Sequence, residues 1–290
     1  MLDLNIGFIG YGEVGREITK SISEYNVDTI YAFDPLFHGS ESKDISEVTT
    51  LSFINTPKEL VRKSIDILFV AVPANNAVEV WNSIIDSLDT STLYVDLTTA
   101  SAEEKKTIAE KLDKKGLNLI DAAIMGALKV YGHKVPMLVS GTNGNEFVNW
   151  GQKFDMNLTC ISEKVGDATN FKFIRSIFTK GLSTLLYEVM ETAEKLELED
   201  EILDSITSTM DRDPFEEIVE RYIKSNVPHS KRREKEMENV IEFMKRNGVE
   251  PYMTNGTKSK LEYITRAKLD EKLKSEEKLD WKKVIHALNS

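Results

Sequence analysis

The sequence predicts an α/β domain on a largely parallel sheet, residues 1–162, followed by an all-α domain, residues 163–290, with a long helix joining them. Two observations carry this expectation. Up to about residue 160, short apolar β-branched runs alternate with polar, helix-favouring stretches, which is the order of βαβ units. Past "EKVGDATNFKFIRS" the strand-like runs nearly vanish and amphipathic helical segments take over.

The strand candidates are "NIGFIG", "TIYAFD", "TLSFIN", "DILFVAVP", "TLYVDLTT", "NLIDAAIM" and "KVPMLVSG". From Asp167 to about Leu196 there is no proline, and Phe171, Ile174, Phe178, Leu182, Leu185 and Val189 recur at helical spacing. At 1.5 Å per residue that is one helix of about 45 Å. The tail from about Lys258 is dense in Lys and Glu and reads as a solvated helical surface.

Composition narrows the functional classes. In 290 residues, 41% hydrophobic and 29% charged, there is enough apolar material for two moderate cores. The formal net charge of -11 argues against nucleic acid as a partner, because a polyanion is repelled. Cys160 is the single cysteine, so no intrachain disulfide forms, and a reducing cytoplasm fits. Four scattered histidines beside it make no metal cluster. No basic-then-apolar leader precedes the first strand, and no apolar run approaches bilayer length, so a membrane partner is not expected.

The most informative stretch is "NIGFIGYGEVGR", an apolar strand running into Gly10-Tyr11-Gly12-Glu13-Val14-Gly15 and then a helix. Gly10 permits the tight turn, Gly12 lets backbone approach a pyrophosphate, and Gly15 allows close packing of helix on sheet. The second strand ends in Asp34, nineteen residues beyond Gly15, where a carboxylate can accept hydrogen bonds from ribose hydroxyls. That is the pattern of a Rossmann-like dinucleotide site. A carboxylate also repels a 2′-phosphate, and Pro35-Leu-Phe-His38 brings no arginine, so NAD is preferred, with NADP the alternative if Lys43 reaches round. Two further strands deliver polar loops to the carboxyl edge of the sheet: Val72-Pro73-Ala74-Asn75-Asn76 and Asp96-Leu-Thr98-Thr99-Ala-Ser101. Helix capping or cofactor contact would each account for them.

These residues together resemble the β-hydroxyacid dehydrogenase family, which contains 3-hydroxyisobutyrate and 6-phosphogluconate dehydrogenases. The resemblance implies that the glycine loop, Val72-Pro73 and Thr98-Thr99 contact a nicotinamide dinucleotide. It places Asp121-Ala-Ala-Ile-Met-Gly-Ala127 on the family's "D-A-P-V-S-G-G" substrate segment, keeping Asp121 and Gly126 but putting Met125 at the serine position. It also aligns "G-x-x-x-x-x-K-x-x-x-N" with Gly166 to Ser176, which implies Lys172 as the catalytic lysine, with Ser176 in place of asparagine. On a helix Lys172, Arg175, Ser176 and Thr179 share a stripe that can face a cleft, while Phe171, Ile174 and Phe178 pack beside it. Arg175, one turn on, can lower the lysine's pKa or clamp a substrate carboxylate.

"RSIFTKGLSTLLYE" and "HSKRREKEMENVIEFMKRNGVEPYM" resemble a less-characterised branch with a shorter helical C-terminal domain. Arg232, Arg233 and His229 lie in the second segment, as anion contacts or as an ordinary charged helix paired with Glu236. His133, between the substrate segment and the next strand, is a solvated loop histidine or a donor. The resemblance implies hydride transfer between nicotinamide and a small anionic hydroxy acid, with Lys172 as general acid/base, in a homodimer. Reduction of an imine or keto group on the same scaffold, or nucleotide sensing without catalysis, are the alternatives.

Overall fold

The computed structural model describes residues 4–37 and 48–290. They fall into two compact units, Met1–Ser176 and Ile177–Ser290.

The first unit is built on one sheet of eight strands: β1 Asn5–Ile9, β2 Thr29–Phe33, β3 Leu51–Phe53, β4 Ile67–Val70, β5 Leu93–Asp96, β6 Leu119–Ile124, β7 Met137–Ser140 and β8 Leu158–Ser162. Their order is β3-β2-β1-β4-β5-β6-β7-β8. The chain leaves β1 toward β2 and β3 on one side, then returns past β1 to β4 on the other. The carboxyl ends of β1 and β4 therefore flank the switch point where α/β sheets bind ligands. All pairings are parallel except β6 with β7. The central strands are fully buried runs such as Ile67-Leu-Phe-Val70, as expected of a sheet covered on both faces. Alternate residues supply two cores. Phe8 and Phe69 join Ile18, Ile22, Phe147 and Trp150 on one face, and Ile9 and Leu68 join Trp81, Ile108 and Leu112 on the other.

Seven strands coincide with the sequence expectation. The eighth, Leu158–Ser162, does not appear there, because it is an edge strand of half-exposed residues with no continuous apolar run. The long helix runs Asp167–Glu194. The division between units falls after Ser176, inside this helix, rather than at residue 163. Its first turn is fastened to the sheet: Ala168 N–H donates to Ser140 Oγ at 3.1 Å, and Thr169 N–H to Asp121 at 3.0 Å.

The second unit is all helical, with helices Glu199–Met210, Phe215–Arg246, Tyr252–Arg266, Leu269–Lys272 and Trp281–Asn289. Pro228 sits inside the longest of them. Buried Glu188 caps the start of Tyr252–Arg266, accepting from Met253 N at 2.6 Å and from Thr254 N and Oγ1 at 2.8 and 2.6 Å. The tail is more than a solvated surface. Leu269, Val284 and Ala287 form a small core with Ile223, Val227 and Ile264. Among the described residues no helix is long and apolar enough to cross a membrane.

Candidate functional site

At the end of β1 the backbone of Gly10 takes φ +92°, and a Cβ there would lie 2.4 Å from the Ala71 carbonyl oxygen. No side chain fits that turn. The helix Glu13–Ile22 starts at once, with Gly12 as its N-cap and no side-chain cap hydrogen bond. A Cβ on Gly12 would meet nothing within 4 Å, whereas one on Gly15 would lie 2.9 Å from the Gly10 carbonyl oxygen. The helix N-terminus thus offers uncapped amides over open space, which suits a pyrophosphate. Glu13 is exposed and Val14 half-buried at this entrance.

Tyr11 contributes differently from what its place in the loop suggests. Its ring is 3% exposed and packs edge-on against Phe37 and Phe53, and burial raises its pKa. Its N–H donates to Asp34 Oδ2 at 2.8 Å, and Leu36 N–H donates to Asp34 Oδ1 at 3.0 Å. Asp34 is therefore fixed at the end of β2 beside the glycine loop, with each oxygen keeping one further acceptor position. His38 and Lys43 lie outside the described residues.

On the other side of the switch point, Val72 is half-buried and Pro73 exposed, leading into the short helix Ala74–Asn76. Beyond β5, Thr98 is 5% exposed and turned inward: its N–H and Oγ1 both donate to Asp96 Oδ1, at 2.9 and 2.6 Å. Thr99 is the exposed member of the pair. Ser101 then opens the helix Ala102–Asp113 with a reciprocal capping box to Glu104.

Asp96 and Asp121 are register partners on β5 and β6. Two carboxylates side by side in the sheet repel unless a cation joins them. Lys105 is that cation. Its ammonium lies 3.0 Å from Asp96 Oδ1, 2.7 Å from Asp121 Oδ1 and 3.4 Å from the Asp96 carbonyl oxygen, with all three side chains wholly buried. Burial alone would depress the lysine, but Asp96 and Asp121 more than offset it and hold its pKa above the ordinary value. Trp81 Nε1–H donates to Asp96 Oδ2 at 2.7 Å. Asp121 accepts from Thr169 Oγ1 at 2.8 Å, and its Oδ2 from Gly166 N, Thr169 N and Ser140 Oγ at 3.1, 3.0 and 3.2 Å.

This corrects the expectation that Asp121 touches substrate: its carboxylate is sealed from solvent and fully used by Lys105, Ser140, Gly166 and Thr169. Sequence reasoning missed Lys105 altogether. Along the rest of the segment Ala122, Ala123 and Ile124 are buried, Met125 is half-buried with its N–H donating to the Pro136 carbonyl at 2.8 Å, and Gly126 is exposed.

Gly166, with φ +98°, and Thr169 begin the helix that carries Lys172 and Ser176, both half-buried, and Arg175, exposed. All three belong to the first unit, whereas Thr179 belongs to the second. The expected packing of Phe171, Ile174 and Phe178 beside the stripe is not observed: they are 48%, 68% and 50% exposed. Phe178 has an edge contact with Phe215.

Other candidates resolve more simply. His133 is buried rather than solvated: its Nε2 lies 2.8 Å from the Phe154 carbonyl, its ring packs on Tyr25, and burial lowers its pKa. Arg232 pairs with Glu236 at 3.3 Å, and Arg233 donates to Ser225 and Asn226. An apolar cavity of about 280 Å³ in the second unit is lined by residues such as Val189, Ile202 and Phe243, and by none of the expected site residues. Among the described residues no group of His, Cys, Asp or Glu could hold a metal ion.

Comparison with known proteins bears on the family and the fold. Residues 5–147 match the NAD binding domain of 6-phosphogluconate dehydrogenase, and residues 193–264 match a domain of unknown function, DUF1932. An uncharacterized 28.5 kDa protein of Methanothermus fervidus is 30% identical over 90% of this chain and 99% of its own. The 2-(hydroxymethyl)glutarate dehydrogenase of Eubacterium barkeri is 27% identical, over 43% of this chain and 42% of its own. An imine reductase of Myxococcus stipitatus, solved with NADP+ and, as a variant, with NAD+, superposes with TM-scores of 0.74 and 0.75 at 14% identity. The first covers 99% of this chain and all of the reductase, the second all of both.

The fold and site thus define a nicotinamide-dinucleotide-dependent dehydrogenase or reductase. The chain belongs to the β-hydroxyacid dehydrogenase family, in a less-characterised branch.

Proposed function

We propose that the chain transfers a hydride between NAD and a small anionic hydroxy acid, with Lys172 as general acid/base. The observation that carries this reading is the anchoring of the Lys172 helix. Thr169, three residues before Lys172, is bonded through Asp121 and Lys105 to Asp96, which also shapes the Thr98-Thr99 loop. One buried cluster thus serves both the strand end that the resemblance gives to the cofactor and the turn preceding the lysine.

The residues present fit the cofactor: Gly12 leaves room that a Cβ would occupy, and Asp34, held beside the glycine loop by Tyr11 N–H, supports a ribose contact. When bound, nicotinamide supplies the hydride acceptor or donor. The proton falls to the chain. A neutral Lys172 amine takes the hydroxyl proton as the carbonyl forms and returns it in the reverse direction. Arg175, one turn on, clamps the substrate carboxylate. Asp34 supports NAD over NADP by repelling a 2′-phosphate. The large apolar residues exposed along Asp167–Glu194, among them Ile174, Ile177 and Tyr187, support a homodimer.

A second reading, reduction of an imine or keto group, is favoured by Met125 where the family carries serine, which removes a hydroxyl from the substrate segment. It also draws on the whole-chain likeness to the Myxococcus stipitatus imine reductase. A single assay separates the two. Reduced-nicotinamide absorbance is followed with NAD and a panel of 2- and 3-hydroxy acids, then with NADH and cyclic imines or keto acids. Turnover of a hydroxy acid, lost in Lys172→Ala, supports the first; turnover confined to imines replaces it with the second.

A further inference from the structure

The Asp96–Lys105–Asp121 cluster is buried beyond the reach of any substrate, yet each of its ends meets a different part of the site. Asp96 fixes the turn that presents Thr99, through Thr98 N–H and Oγ1. Asp121 fixes the first turn of the long helix, through Gly166 N–H, Thr169 N–H and Thr169 Oγ1. Among the described residues only the Lys105 ammonium touches both carboxylates, and it also donates to the Asp96 carbonyl oxygen. A purely stabilising design has no need of this arrangement, since well-packed apolar residues of similar volume stabilise as well or better than buried ions.

We infer that Lys105 is a positioning residue, whose bridge between Asp96 and Asp121 couples the cofactor-side Thr98-Thr99 loop to the helix turn that presents Lys172. The inference rests on the nicotinamide reading above. Its physical content is a coupling: ordering the loop by a bound ligand orders the helix start, because the two share one ion with no slack.

Lys105→Met alone leaves two adjacent buried carboxylates and is expected to unfold the protein partly. Lys105→Met with Asp121→Asn avoids this. The buried charge of the cluster stays at one negative, as in the parent. The side-chain amide introduced by Asp121→Asn can still accept from Gly166 and Thr169 N–H through its carbonyl, while its NH2 group donates to Thr169 Oγ1. Only the bridge to Asp96 is cut.

The experiment is amide hydrogen exchange by mass spectrometry, with and without NADH, on the parent, the double variant and Lys106→Met. Lys106 is exposed, pairs with Glu103 and serves as the control. In the parent and in the control, NADH is expected to slow exchange about fivefold or more in the peptide covering residues 163–176. In the double variant NADH still binds, within about threefold by fluorescence titration, and still slows exchange around residues 10–16, but no longer around 163–176. Persistence of the slowing at 163–176 in the double variant overturns the inference and leaves the nicotinamide reading standing. Failure of NADH to bind the parent overturns both.

Discussion

The two flanks of the switch point are built on opposite principles. The glycine loop works through absence: at Gly10 a side chain would collide with the Ala71 carbonyl, and at Gly12 the open space is the feature itself. The β5–β6 flank works through presence, with two carboxylates, a lysine, a tryptophan N–H and a threonine locked together out of water. The first kind of site is a local property of six consecutive residues. The second joins positions 81, 96, 105, 121, 140, 166 and 169, and exists only once the sheet has formed.

The largest expected effect breaks the second flank. Lys105→Met should cost about 3–5 kcal/mol of stability, because it leaves buried charge unpaired, and urea denaturation measures the loss. The linkage has a definite sign. With its folded pKa raised above 10.5, Lys105 contributes stability fully present below that value and lost as pH rises through the higher folded one. The parent should therefore show an alkaline fall in denaturation midpoint that the variant lacks.

Next in size is Lys172→Ala, expected to lower turnover about a hundredfold, near 2.7 kcal/mol, with NADH affinity held within about threefold. Loss of cofactor affinity instead would make Lys172 a nucleotide contact and undo the division of labour between the flanks. Arg175→Ala should raise KM for a carboxylate substrate about tenfold while changing kcat less, since a clamp acts in ground and transition states alike. An alkaline shift of the pH–rate profile with KM unchanged would reassign Arg175 to tuning the lysine.

The smallest effect lies away from both flanks, at His133. Burial holds its pKa below 6.5, so its contribution is present above that pH and lost as the pH falls through the depressed folded value. The thermal midpoint should drop on acidification from pH 7, and His133→Phe should flatten that limb. An unchanged slope would show that other groups carry it.

What the sequence made legible follows the same contrast. Seven strands, the glycine turn, Asp34 and the long helix rest on local periodicity, on φ requirements or on fixed spacing, all visible in a linear string. Lys105 and Lys106 show where legibility stops. They are neighbours in "AEEKKT", yet one is wholly buried between two aspartates and the other pairs at the surface with Glu103. Which lysine turns inward depends on the phase of the helix Ala102–Asp113 against β5 and β6, a tertiary fact. Asp121 misled for the same reason, since a family motif gives its position but not its hydrogen-bond partners. Phe171 and Ile174 have helical spacing, and spacing does not say whether a partner covers the face.

The central claim, that a nicotinamide dinucleotide lies on the Gly10–Gly15 loop, is tested most directly by calorimetric titration of NADH into the parent and Gly12→Val. Gly12 has φ -76° and nothing within 4 Å of its Cβ position, so the valine fills ligand space and little else. The account predicts saturable binding to the parent with affinity on the order of micromolar, and its loss in a variant that melts within a few degrees of the parent. Equal NADH affinity in the two proteins would contradict it.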